Sequence, residues 1–193
     1  MPKQPRPASS DADLAELADI TAAEARQFSL TIADIASGAS PETALSIALL
    51  ATADVVAIGA RLGAISDVIL DERYEPDDGE DADLAALRAG LANVFDGLDE
   101  YADLVDPVTS AEVTTGCLST DFAVIVGALD HGLTHYDQGH VTEALWWWQF
   151  SYLSDWGERA SMALRVLLGL LAHVRLDADA DLIAEAEFDA LHP

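Results

Sequence analysis

The chain is poor in cysteine and in basic residues, and both shortages narrow its possible functions. The single cysteine, Cys117, excludes an intramolecular disulfide, so no residue pattern indicates an oxidising compartment. The chain has nine lysines and arginines but 35 aspartates and glutamates, which gives a formal net charge of −26. This charge repels nucleic-acid phosphates and anionic lipid head groups. We therefore expect no direct binding to nucleic acid or to a membrane surface.

Segments typical of secretion or membrane insertion are also lacking. Residues 1–10 contain three prolines and no apolar run, so they do not resemble a secretory signal. The most apolar stretch, residues 44–62, carries Asp54 at its middle. A charge at mid-bilayer costs about 2.5 to 3.5 kcal/mol on insertion scales. This stretch is therefore predicted to be a core helix, and the protein is expected in the cytoplasm.

The hydrophobic pattern predicts an all-α fold, a single-domain bundle of about six helices with one long acidic loop. Apolar residues recur at spacings of three and four, and no alternating strand pattern is long enough to compete. The predicted helices begin near residues 11, 41, 82, 120, 141 and 158 and end near residues 38, 62, 104, 138, 154 and 176. Residues 1–10 are predicted to be a disordered tail, 11–176 the helical domain, 63–81 the acidic loop and 177–193 an acidic C-terminal segment.

The most informative feature is a run of three tryptophans, Trp146, Trp147 and Trp148, in the fifth predicted helix. Successive side chains on a helix are rotated by about 100°, so the three indoles span about 200° and no single core face holds them all. Phe150 and one or two of the indoles are expected to face the core, and the others are predicted to contact a partner. The predicted binding residues are Arg61, Arg73, Tyr74, His131, His135, Tyr136, Trp147, Trp148 and Trp156.

Two histidines four residues apart, His131 and His135, share one face of the fourth predicted helix. This spacing allows two imidazoles to bind one metal ion, but such a site needs further ligands. His140 and His173 would join only if the fold brought them close. The favoured interpretation is a pair of histidines hydrogen-bonded at a helix edge near Tyr136, with no metal and no cofactor predicted.

Four acidic residues suggest an enzymatic alternative. Glu72 and Glu75, followed by Glu100 and Asp103, have the spacing of the all-α nucleotide pyrophosphohydrolases, in which two helices present four carboxylates to Mg²⁺. Chance matches are expected in so acidic a chain. No nucleophile elbow, phosphate-binding glycine loop or dinucleotide motif accompanies these residues.

The few arginines lie among an excess of acidic residues. Asp54, Arg61 and Arg165 are predicted to form an internal ion network, with anion recognition as the alternative. Arg73 and Tyr74 lie in the long loop, where they would suit a lid or a contact surface.

Several long segments resemble a family of actinobacterial proteins of unknown function, DUF5063. They are residues 59–78, 131–139, 143–157 and 171–175, which include His131-Gly-Leu-Thr-His-Tyr-Asp-Gln-Gly139 and Trp146-Trp-Trp-Gln-Phe-Ser-Tyr-Leu-Ser-Asp-Trp-Gly157. The resemblance covers most of residues 12–176. It implies a cytoplasmic helical protein without an assigned activity, and it offers no catalytic residue.

We therefore expect a non-enzymatic protein–protein interaction module that binds another protein through the loop and the indole-bearing helix. A magnesium-dependent pyrophosphohydrolase-like enzyme is one alternative. An acidic DNA mimic or binder of a basic partner is the other.

Overall fold

The computed structural model describes the backbone of residues 11–70, 83–105 and 108–191, and the side chains of residues 12–70, 83–105 and 108–176. Within these residues the chain forms six α-helices, one π-helical turn and one two-stranded hairpin. The elements are α1 (Asp11–Ala36), α2 (Pro41–Ala64), α3 (Ala85–Val94), β1 (Glu100–Leu104), β2 (Val113–Cys117), α4 (Leu118–Asp137), α5 (Val141–Ser151), the π-helical turn (Tyr152–Trp156) and α6 (Gly157–Leu191). The predicted helical bundle is confirmed. The predicted tail, residues 1–10, lies outside the described residues.

Helix α1 buries the apolar stripe that its sequence predicts. The buried positions, three or four residues apart, are Ala18, Ala22, Ala25, Phe28, Ile32 and Ile35. Gly38 follows the helix with a φ of 71°, a conformation that costs glycine little. Pro41 then begins α2 as predicted, although the Ser40 side chain makes no capping hydrogen bond.

Helix α2 is long and apolar enough to span a membrane by length and composition alone. In the bundle it packs against α1 and α6. One face is buried, at Ala44, Ala48, Thr52, Val55, Ile58, Gly59 and Leu62. Asp54 lies exposed at the middle of the other face. α2 therefore supplies core residues to the bundle, as the sequence predicted.

The third predicted helix is wrong over its second half. Helix α3 ends at Val94, and residues 100–104 instead form strand β1, which pairs antiparallel with β2. Gly97, with a φ of 76°, lies in the turn between α3 and β1. The pairing partner of β1 lies at residues 113–117, between the third and fourth predicted helices. Strand pairing is non-local, so the helical spacing within residues 82–104 did not reveal it.

The predicted break at residues 155–157 is also wrong. A π-helical turn carries the chain from α5 directly into α6. Gly59 and Gly157 make room for the turn, because a Cβ at either position would lie within 2.6 Å of the Tyr152 ring. The backbone of α6 then continues unbroken to Leu191, across the predicted boundary at residue 177.

Helix α6 is enclosed on one side only. Ala160, Ala163 and Leu167 are buried, but Leu168 and Val174 are exposed. α6 contacts α2, α4 and the π-helical turn, which together cover only one side of a helix.

Candidate functional site

The three adjacent tryptophans meet three different environments. Trp148 is fully buried, and its Nε1–H donates to the Leu129 carbonyl oxygen at 3.0 Å. Gly132 permits this approach, because a Cβ there would lie 2.0 Å from Trp148 Nε1. Trp146 and Trp147 are partly exposed, and their ring centroids lie 5.2 Å apart.

Two predicted binding residues belong to the core. Trp148 and Trp156 are fully buried, so assigning them to a binding surface is wrong. Trp156 packs against the Tyr152 ring at 4.9 Å and donates from Nε1 to Ser151 Oγ at 3.1 Å. Both indoles thus have a hydrogen-bond partner inside the fold, as a buried indole requires.

Three apolar side chains at spacings of four and three residues, on α5 and the π-helical turn after it, form what we call the outer stripe: Trp146, Phe150 and Leu153. The Trp146 and Phe150 rings are stacked, with centroids 5.2 Å apart and planes within 2°. Phe150 is 51% exposed and Leu153 is 63% exposed. The expectation that Phe150 faces inward is therefore wrong. Trp148 and Leu145 fill the core on that helix, and Phe150 points away from them.

Gln149 is a structural residue that the sequence analysis missed. It is buried on α5, and its Nε2 donates to the Leu62 carbonyl oxygen at 2.9 Å and to that of Ser66 at 3.2 Å. Its Oε1 accepts from the Val68 backbone N–H at 2.8 Å. The irregular segment after α2 is thereby held beside α5. A lone amide among apolar residues was the available signal.

The predicted histidine pair lies beside Trp147. The ring centroids of His131 and His135 are 5.2 Å apart, and the Trp147 ring lies 4.3 Å from His131 and 6.3 Å from His135. The fold adds Glu143, whose Oε2 lies 3.3 Å from His135 Nδ1. Because Glu143 follows His135 by eight residues across a turn, helical spacing alone did not identify it.

Tyr136 serves the packing of α4 against α1. Its hydroxyl donates to Asp19 Oδ1 at 2.5 Å, and the Arg26 guanidinium lies over its ring at 5.5 Å. The hydrogen bond to Asp19 raises the pKa of Tyr136. These contacts give Tyr136 a structural role in joining α4 to α1.

The predicted internal ion network is wrong, because Asp54, Arg61 and Arg165 are all exposed. An exposed charge is solvated and needs no buried counter-ion. Arg61 remains available as a surface cation at the end of α2. Arg73 and Tyr74 lie outside the described residues.

The described residues do not form the pair of carboxylate-bearing helices on which the pyrophosphohydrolase-like alternative depends. Glu72 and Glu75 lie outside the described residues, while Glu100 and Asp103 lie on β1 rather than on a helix. Side chains three apart on a strand point to opposite faces, so these two carboxylates do not share a site. Asp103 Oδ1 instead accepts from the Leu104 backbone N–H at 2.8 Å.

A buried carboxylate joins the hairpin to two helices. Tyr101 donates its hydroxyl proton to Asp121 Oδ2 at 2.5 Å, and Arg159 donates to Asp121 Oδ1 at 2.9 Å. Gly116, opposite Tyr101 in the register, leaves room for the ring. Burial raises the pKa of Asp121, although both hydrogen bonds act to lower it.

The network around Asp121 is closed and structural. Burial and the hydrogen bond to Asp121 raise the pKa of Tyr101, so the phenol keeps the proton that it donates. Burial also raises the pKa of the nearby Cys117 thiol, which disfavours the reactive thiolate. These groups connect β1, α4 and α6.

The chain belongs to the family described as "Domain of unknown function (DUF5063)", whose model matches residues 12–173. The crystal structure of protein BF1032 from Bacteroides fragilis is similar, with a TM-score of 0.62 and 15% sequence identity over 78% of this chain and 89% of that one. No curated protein matches the chain. The structural likeness supports the helical fold, and neither comparison assigns an activity.

Proposed function

We propose that the protein is a non-enzymatic module that binds a basic, amphipathic segment of another protein on the outer stripe of α5. The observation that carries the proposal is the stacked, partly exposed pair Trp146 and Phe150, continued by exposed Leu153. Single exposed apolar residues are ordinary on protein surfaces, whereas two stacked and partly exposed aromatic rings are typical of a contact site.

The rigidity of the stripe also favours binding. Trp146 is held from one side by Trp147, whose ring packs on His131, and from the other by Phe150. Side chains that are already ordered lose less conformational entropy when a partner binds. The stripe therefore offers preorganised aromatic anchors.

The charge of the chain favours a basic partner. The net charge is −26, and acidic side chains stand at both ends of the stripe, Glu143 before it and Asp155 after it. A basic partner would be steered to this surface, and an acidic one repelled. An apolar face on the same segment would cover the stripe.

Arg73 and Tyr74 remain predicted binding residues, and both lie outside the described residues. The segment that precedes them is held against α5 by hydrogen bonds between the Gln149 side chain and the backbone of Ser66 and Val68. A cytoplasmic setting and an actinobacterial origin remain predictions.

Site-specific photo-crosslinking in the source organism tests the proposal. A photoreactive amino acid replaces Phe150 in one variant and Leu30, which is 68% exposed on α1, in the matched control. We expect a crosslink from position 150, and none from position 30, to a protein with a basic amphipathic segment. A crosslink only to a second copy of this chain would overturn the proposal in favour of self-association.

The captured partner then permits a quantitative test by titration calorimetry. Phe150→Ala and Trp146→Ala should each weaken binding by about 10- to 100-fold, as removal of an aromatic anchor does. Leu30→Ala should leave the affinity unchanged. If salt abolishes binding while the aromatic variants bind normally, the surface acts by charge alone, as in the DNA-mimic alternative, and the proposed role of the stripe is wrong.

A further inference from the structure

The turn between α4 and α5 gathers three side chains with donor atoms that suit transition metals. His135 lies in the last turn of α4, His140 immediately precedes α5, and Glu143 lies in its first turn. Their ligand atoms all lie within 4.8 Å of one another. We propose that His135, His140 and Glu143 bind a Zn²⁺ ion.

The backbone of the turn holds these residues together. Gly139 has a φ of 87° and donates its N–H to the Tyr136 carbonyl oxygen at 2.9 Å. His140 donates its backbone N–H to the His135 carbonyl oxygen at 3.0 Å. The chain thus reverses within two residues of α4, and positions 135, 140 and 143 come to one side of the turn.

The distances within the cluster suit a tetrahedral ion. Glu143 Oε2 lies 3.3 Å from His135 Nδ1 and 3.1 Å from His140 Nδ1. Tetrahedral zinc with bonds of about 2.0 to 2.1 Å places neighbouring ligand atoms about 3.3 Å apart. Two of the three ligand pairs therefore already have the required spacing. His140 is 55% exposed, so its ring has room to complete the third.

The donor set selects the kind of ion. Imidazole nitrogens suit Zn²⁺ and similar transition metals, whereas Mg²⁺ and Ca²⁺ prefer oxygen ligands throughout. Two histidines with one glutamate leave a fourth zinc position for water or another ligand. Because the Glu143 side chain is 38% exposed and His140 more so, that position would face solvent.

Packing around the cluster fixes the buried ligand. His135 is 3% exposed, and its ring stacks against Trp147 with the planes within 18°. His131 packs against both rings. Ligand orientation by neighbouring groups is a regular feature of metal sites. Through Trp147 and Trp146 the site also contacts the outer stripe, although the proposal does not depend on that surface.

The test uses the full-length chain without an affinity tag, stripped of metal by a chelator. Titration calorimetry with ZnCl₂, in buffer containing excess MgCl₂ to saturate weak acidic sites, should show one Zn²⁺ per chain. Co²⁺ should give the visible absorption of a tetrahedral site containing nitrogen ligands. His140→Ala and Glu143→Gln should each weaken Zn²⁺ binding by about 100-fold. Both residues are partly exposed, so their replacement should preserve the fold, which circular dichroism checks.

His173→Ala is the matched control, because His173 is an exposed histidine outside the three-residue cluster. It should bind Zn²⁺ as the unaltered chain does. Absence of saturable binding would show that the cluster is only a contact between histidine and glutamate side chains, and would overturn the proposal. Equal affinity in folded His140→Ala and Glu143→Gln would place the ion elsewhere, with the same consequence. Neither result requires a partner protein, so each can be distinguished from failure of the proposed protein-binding function.

Discussion

The two faces of α5 carry similar residues in opposite environments, one buried and one partly exposed. On the inner face, Trp148 and Gln149 are buried, and the structure gives hydrogen-bond partners to the indole N–H and to both ends of the amide. On the outer face, Trp146 and Phe150 stack on each other and remain partly exposed. One of three adjacent indoles thus completes the core. The other two stay partly exposed, Trp147 against the histidines of α4 and Trp146 against Phe150, and the proposed partner-binding surface is therefore on the outer face.

Removal of one indole from each face should give the largest difference in stability. Trp148→Ala should lower the free energy of unfolding by about 3 to 5 kcal/mol, because it leaves a cavity and removes the hydrogen bond that the indole donates to the Leu129 carbonyl oxygen. Trp146→Ala should lower it by only about 1 kcal/mol, since the Trp146 ring is partly exposed. Urea denaturation measures both.

Equal losses in these two variants would contradict the assignment of separate roles. Trp148→Phe serves as a milder companion, because it keeps an aromatic ring while removing the indole N–H. Its loss should fall between those of the two alanine variants.

A smaller effect is expected from Gly132, which determines how closely the inner face approaches α4. Gly132→Ala should destabilise the fold by about 2 kcal/mol, because the new Cβ would lie 2.0 Å from Trp148 Nε1 and displace the ring. Gly169→Ala is the matched control in α6, where a Cβ meets no atom within 4 Å. It should gain up to about 1 kcal/mol from helix propensity. Equal gains at both positions in urea denaturation would show that Trp148 is not tightly packed.

The smallest effect concerns pH and a buried polar group on α4. Burial raises the pKa of Asp121, so its protonated form is favoured in the folded state relative to the unfolded state. Its contribution to stability is therefore largest below the unfolded pKa of about 3.9 and is lost as pH rises through the folded value.

Asp121→Asn isolates this contribution, because asparagine does not titrate. The unfolding free energy of the unaltered chain minus that of the variant should fall as pH rises from about 4 to about 7. Urea denaturation at several pH values measures the difference. A difference that grows with pH would mean that the hydrogen bonds from Tyr101 and Arg159 outweigh burial.

Local sequence patterns predicted much of the bundle. The spacing of apolar residues identified α1, α2, α4 and most of α5, and the glycines and the proline at the turns located several ends. The hairpin was not predicted from the sequence, because residues 100–104 pair with residues 113–117 and neither strand is stable alone. The π-helical turn was not predicted, because it continues the helical backbone through Trp156-Gly157, a pair that is otherwise typical of the end of a helix.

The candidate site shows the same division between local and distant information. That His131 and His135 share a face follows from helix geometry, but the approach of Glu143 depends on how the turn at Gly139 folds back. The surplus of indoles was evident from their adjacency. The choice of Trp148 as the buried one depends on Gly132 in another helix. The prediction that Phe150 faces the core was wrong, because its burial depends on residues of other helices, and the spacing of apolar residues within α5 does not identify those.

By itself the sequence determined that the chain is acidic and helical, and that one helix carries more indoles than a single face can hold. These properties follow from composition and from the 3.6-residue period, which act within a few residues of each position. Only the tertiary structure decided which indole is enclosed, which rings remain on the surface and which carboxylate meets the histidines. Such contacts join residues from different helices, so their geometry is set by packing between elements rather than by the pattern within any one of them.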